Sequence, residues 1–185
     1  LSAASSSTDI QVAISVKGLC ACTPGDYGTN MWKVLSQAHN SVQQIPTQRF
    51  DIRSAVNAAP ELLYVQHGHF VSAAELFDHR QFSMSLAEVQ ATDPSHRIML
   101  ETVLSACSKA DCNSNLLVSS ATGMFLGLCN VSDWGKLLQD QARQTGVYSA
   151  HGADGAAASG RVSYLFGLKG PCFTVNTACS SALVA

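Results

Sequence analysis

Charge is scarce in this 185-residue sequence: only 13% of residues are Asp, Glu, Lys or Arg, against 46% apolar. That density is low for a free-standing soluble domain and leads us to expect surface covered by another domain or subunit. The eleven Lys and Arg are scattered singly and the formal charge is −2. The basic stripe that phosphate binding requires is therefore missing, which argues against a nucleic-acid partner. No apolar run approaches the roughly 18 residues of a membrane span. The opening residues LSAASSSTD lack both a charged n-region and an apolar h-region, so they do not read as a secretory signal, and they contain no initiator Met. Residues 1–9 read instead as a flexible leader.

Zinc-type spacing is missing too. The seven cysteines stand at 20, 22, 107, 112, 129, 172 and 179. Cys20-x-Cys22 and Cys107-x4-Cys112 do not make the paired Cys-x-x-Cys of a zinc site. An odd number in a mid-sized chain also argues against a disulfide framework. The expectation is buried, reduced thiols in an intracellular reducing compartment, cytoplasmic or organellar, and not a secreted protein. Gly152, Gly155 and Gly160 do not fall in a G-x-G-x-x-G arrangement, so no directly bound dinucleotide or other cofactor is expected. His67 and His69 share one strand face by the period-2 rule, but no third ligand lies near them in sequence, and no metal is expected.

What is present alternates between strand-like and helix-like runs. Residues 10–19 alternate apolar and polar as a strand does, with a turn at 23–26. Asn30 is placed to cap a short helix over 31–38. Residues 44–62, holding Pro46 and Pro60, read as irregular, and 62–71 as β-like but broken at Gly68. A helix is predicted over 86–91. Asp93 and Pro94 then supply an N-cap and a first-turn proline for a long helix over 94–109. The chain continues with a buried strand over 124–128 and a helix over 131–144. A small-residue stretch at 152–159 leads into helix-compatible 161–166, and a turn at 168–171 precedes a strand over 172–177. Strands separated by helices imply an α/β layered fold. His96 and Arg97 read as surface or ion-pair residues, and Arg161 as structural.

The end of the sequence, VNTACSSALVA, sets a cysteine where a strand gives way to a helix. Unpaired N–H groups and the positive end of the helix dipole at such a turn favour a thiolate and can face a developing oxyanion. The small neighbours Thr177, Ala178, Ser180, Ser181 and Ala182 leave room for a long, thin acyl chain. Spacing alone leaves two readings open: Cys179 as a nucleophile, or a buried structural cysteine beside a tight strand–helix contact.

GPCFTVNTACSSALVA at 170–185 resembles the active-site signature of the β-ketoacyl synthases, the ketosynthase domains of modular polyketide and animal-type fatty acid synthases. GADGAAASGRVSYLFGLKGP at 152–171 and DPSHRIMLE at 93–101 are similar to further segments of that family. FDHRQFSMS at 77–85 and MFLGLCNVSDW at 124–134 fall in the same order and spacing. The resemblance covers residues 10–185. It implies an α/β chain that forms the N-terminal half of a thiolase-like αβαβα layered fold, with the C-terminal half absent.

It also implies a ping-pong reaction. An acyl group would pass from the phosphopantetheine of an acyl carrier protein to Cys179, and a decarboxylated malonyl-type extender would then attack it. The family's two further catalytic groups are histidines of the C-terminal half, and no position here matches either, so condensation by these residues alone is not expected. A homodimer is implied, with the strand around 173–177 at its two-fold interface. Asn176 stands where the family commonly has Asp, Cys172 where Ser is usual, and Lys169 for a frequent Arg. CACTPG at 20–25 lacks the usual Arg-Phe. The alternatives are a thiolase-fold acyltransferase that does not condense, and a non-catalytic relative that only dimerises or docks a carrier protein.

Overall fold

A computed structural model of the chain describes residues 13–24, 31–49, 51–52, 65–112, 114–129, 133–140 and 148–185. In chain order the elements are α1 (Met31–Ser36), β1 (Val42–Gln44), β2 (His67–His69), α2 (Leu86–Ala91), α3 (Pro94–Lys109) and α4 (Ser114–Leu117). They continue with β3 (Met124–Gly127), α5 (Trp134–Asp140), α6 (Ser149–Ala153), α7 (Ala156–Phe166), β4 (Cys172–Val175), a 3-10 turn (Ala178–Ser180) and α8 (Ser181–Val184). Among the described residues no helix is long and apolar enough to cross a membrane.

Local chemistry sets the best-defined boundaries. The Asp93 carboxylate accepts the Ser95 N–H at 2.7 Å and Pro94 occupies the first helical position, so α3 starts where the sequence predicts. Ser85 caps α2 by accepting the Glu88 N–H at 3.2 Å. Gly167, at φ 66°, ends α7 in the left-handed conformation that glycine adopts without strain. α7 buries Ala158, Ser159, Val162 and Phe166, the spacing of one helical face. That face meets Phe82, Met84, Val89 and Leu100 in the core, with Phe77 stacked on Phe82 at 5.1 Å between ring centroids.

β3 and β4 pair in parallel, Met124 opposite Cys172 through Gly127 opposite Val175. Parallel neighbours need a crossover, and α5, α6 and α7 lie between them in sequence, as a mixed α/β arrangement requires. α7 packs across both strands and so backs the sheet from which the chain runs on to Cys179.

Several expectations are corrected. Residues 13–19, the described part of the predicted strand over 10–19, form no strand. Ile14 and Val16 stay 92% and 83% exposed, and among the described residues their alternation finds no strand to pair with. The irregular stretch predicted from 44 begins after a short strand, β1, which pairs antiparallel with β2. Of the described part of the β-like run 62–71, residues 65–71, only β2 is strand, and Gly68 lies inside it rather than breaking it. The helix predicted over 31–38 ends at Ser36, because Ala38 turns to φ 47°. The segment 152–159 divides into the end of α6 and the start of α7 around Asp154 and Gly155. For the helix predicted over 131–144, α5 covers 134–140 and the flanks lie outside the described residues. Residues 1–9, Asn30 and half of the turn at 23–26, residues 25 and 26, also lie outside them.

None of the seven cysteines is buried. Cys22, Cys129, Cys172 and Cys179 are exposed and the other three half-buried. They sit at or near strand ends, at the C-terminus of α3, in the turn after β4 and in the segment before α1. His96, read as a surface or ion-pair residue, is only 2% exposed. The Asp93 N–H donates to the Gly152 carbonyl at 2.8 Å, which draws the first turn of α3 beneath α6. Burial pushes the His96 imidazole below its ordinary 6.5; Arg161 acts in the same direction, while Asp93 and Asp154 oppose it.

Candidate active site at the strand-to-helix elbow

From Val175 at the end of β4 the chain reaches Cys179 through a turn built almost entirely from its own side chains. The Asn176 carboxamide oxygen accepts the Ala178 N–H at 3.2 Å. This is the local bond that Asp or Asn makes to the backbone two residues on, so an Asn here keeps the acceptor that an Asp would supply. Ala178 has φ 55°, in the left-handed region that costs a non-glycine residue about 1–2 kcal/mol. Ser181, only 4% exposed, holds the turn from beneath. Its hydroxyl oxygen accepts the Thr177 N–H at 2.9 Å and donates to the Ala178 carbonyl at 2.7 Å. Ser180 closes the outside by donating to the Thr177 carbonyl at 2.8 Å and lying 2.9 Å from the Thr177 hydroxyl.

Cys179 occupies the middle of the resulting 3-10 turn and is exposed, with its thiol free. In this chain Cys179 is therefore not buried. The expectation that Cys179 opens an α-helix needs correction as well: regular α-helix begins at Ser181, and the turn before it carries the cysteine outward. Two supports fix the elbow in the fold. Thr174 on β4 donates to the Ser159 hydroxyl of α7, or accepts from it, at 2.9 Å. On β3, Gly127 lies so close that a Cβ there would come within 2.5 Å of the Ser181 carbonyl carbon.

The small residues at 152–159 divide between two places. Ser159 does reach β4, but Gly152 packs elsewhere, against the Ala91 carbonyl at the α2–α3 junction. Gly127 and Ser181 were missed. Their only signals are a glycine within an apolar strand and the second serine of ACSS.

The remaining candidates lie away from Cys179. Arg161 donates to the Glu88 carboxylate at 2.7 Å, tying α7 to α2, as expected of a structural residue. His67 and His69 are exposed on one face of β2, and the His69 ring shares a 2.8 Å hydrogen bond with the Ser41 hydroxyl. Among the described residues no three His, Cys, Asp or Glu side chains converge in a way that could hold a metal.

Comparison with known proteins gives the same reading throughout. The family model for the β-ketoacyl synthase N-terminal domain matches residues 11–185. Polyketide synthase GfsB of Streptomyces halstedii is 34% identical over 181 residues, which is 95% of this chain and 3% of that protein. Mycoketide-CoA synthase of Mycobacterium tuberculosis is 35% identical over 178 residues, 93% of this chain and 4% of that one. The oxazolomycin ketosynthase domain OzmH KS7 of Streptomyces albus superimposes with a TM-score of 0.75 at 30% identity, over 92% of this chain and 30% of its own. The chain thus spans under a third of that solved ketosynthase and a few per cent of those synthases. Its mixed α/β fold is that of the thiolase-like ketosynthases, and it belongs to the β-ketoacyl synthase family.

Proposed function

We propose that this chain is the nucleophile-bearing part of a ketosynthase that accepts acyl groups on Cys179. The observation that carries the reading is an exposed thiol at the tip of a turn held in a strained conformation by buried Ser181. Strain at a left-handed alanine persists only where the surroundings over-determine it, and such positions cluster at working sites. The sulfur attacks the thioester carbonyl of an acyl group carried on the phosphopantetheine of an acyl carrier protein. The C–S bond to Cys179 forms, the phosphopantetheine thiolate leaves, and the thiol proton is released to solvent or to the departing sulfur.

Decarboxylative condensation with a malonyl-type extender then needs the two histidines of a C-terminal half, which together with this part completes the αβαβα layers. The half-exposed Phe125 and Phe173, packed edge-to-face at 4.8 Å on β3 and β4, suit a face that a homodimer partner covers. An intracellular reducing compartment suits a site that needs its thiol reduced.

The test is acyl loading. Intact protein incubated with an acyl pantetheine thioester gains one acyl group, and peptide mapping places it on Cys179; Cys179→Ala abolishes the gain. Loading at another cysteine, or none, overturns the proposal. Loading without a condensed product, when the extender is supplied on carrier protein to the complete protein, selects the non-condensing acyltransferase.

A further inference from the structure

Cys107 and Cys112 lie apart by sequence spacing and together by fold. At the end of α3 the Cys112 N–H donates to the Cys107 carbonyl at 2.9 Å, and the Asp111 N–H to the Ser108 carbonyl at 3.1 Å. Asp111 itself is left-handed at φ 51°. These are the paired bonds and the reversed residue of a Schellman C-cap, in which the side chains at the ends of the longer bond are brought against each other. In most proteins that contact is between two hydrophobes; here both positions are cysteine. The two residues line one cavity of about 330 Å³, between Leu104, Leu117 and Phe166, and both thiols are free and half-exposed.

We propose that Cys107 and Cys112 are a reversible dithiol–disulfide site that locks the C-terminus of α3 under oxidation by a small-molecule disulfide such as oxidised glutathione. The hydrogen bond across the cap holds the two backbones at a separation suited to the Cα spacing of about 4.4–6.8 Å that a disulfide spans. The order of attack follows from the environment. Burial pushes the Cys107 thiol up, and Cys112 adds to that shift, so Cys107 is the poorer first nucleophile. Cys112 attacks a sulfur of the glutathione disulfide, forms a mixed disulfide and expels one glutathione thiolate. Cys107 then gives up its proton, attacks the Cys112 sulfur and expels the second. Two protein thiols are oxidised, one glutathione disulfide is reduced to two thiols, and both protons end on glutathione or in solvent. Metal capture is the weaker use of the pair, since among the described residues no third ligating group joins it.

The experiment uses the intact protein, treated with oxidised glutathione, blocked with iodoacetamide and cut with trypsin. Lys109 lies between the two cysteines, so cleavage there leaves the two peptides joined if the disulfide has formed, and because the second peptide also holds Cys129 the link is located within it. The expected result is that joined pair, assigned to Cys112 by fragmentation, and its loss on reduction. In Cys107→Ser the glutathione remains on Cys112 as a stable mixed disulfide, which the unsubstituted protein does not accumulate. Separately alkylated cysteines, glutathione retained on Cys112 in the unsubstituted protein, or a link from either residue to any other cysteine overturns the proposal.

Discussion

Replacing Ser181 with alanine tests whether the elbow is held rather than merely present. The hydroxyl makes two hydrogen bonds, to the Thr177 N–H and the Ala178 carbonyl, each contributing about 0.5–1.5 kcal/mol net. Thr177 and Ala178 are exposed, so water reaches the freed groups and the loss stays near about 1–3 kcal/mol in total. Against this stands the left-handed Ala178, about 1–2 kcal/mol of strain that the turn releases if it relaxes. The two quantities are comparable, so Ser181→Ala removes most of the margin that keeps Cys179 presented.

Global stability then falls by only about 1 kcal/mol, because relaxation returns the strain. Acyl loading of Cys179 falls further, by roughly 5–30-fold, the population change expected of about 1–2 kcal/mol. Denaturant unfolding and loading measured by intact mass read the two effects separately. Adding Ala178→Gly in the Ser181→Ala background restores part of the loading, since glycine takes the left-handed conformation without penalty. A variant that loads and unfolds like the unsubstituted protein, or a second substitution that restores nothing, refutes the reasoning.

Gly127→Ala places a Cβ against the Ser181 and Ala182 backbone rather than against a yielding side chain. It lowers the unfolding free energy by about 1–3 kcal/mol and lowers loading with it; unchanged values for both would show that β3 does not set the elbow. Glu88→Gln leaves Arg161, 11% exposed at its side chain, without its counter-charge. Because Glu88 is itself a quarter exposed, the cost is about 2–3 kcal/mol, between a charged hydrogen bond and a fully buried pair, read from denaturant unfolding.

Stability depends on pH through His96. Its folded-state pKa lies below the ordinary 6.5 because burial disfavours the imidazolium, so the unfolded chain binds more protons in the window beneath 6.5. Stability therefore declines as pH falls from 6.5 toward the folded value and is insensitive to His96 above it. His96→Gln flattens that slope in unfolding curves taken between pH 7 and 5.5, and an unchanged slope would remove His96 as its source.

Elements written in local chemistry were legible in the sequence. Asp93 and Pro94 opened α3, because caps and prolines act within a few residues, and the residue pattern also placed α2 and the strand that leads to Cys179. β1 was missed because three polar-rich residues carry no alternation of their own and become a strand only by pairing with β2. The apolar alternation at 13–19 misled for the opposite reason, having the period of a strand with no neighbouring strand to join among the described residues.

What the sequence by itself determined is the identity of the elbow: a cysteine among small residues after a β-type run, and an Asn able to bond its own backbone two residues on. What only the tertiary structure decided is how that elbow is held and what else the cysteines do. Gly127 comes beneath Ser181 because parallel pairing sets Gly127 opposite Val175, across residues more than forty apart in the chain. Cys107 and Cys112 become partners because a helix cap folds the chain back on itself. Distances of that kind belong to packing and backbone reversal, and no run of residue types states them.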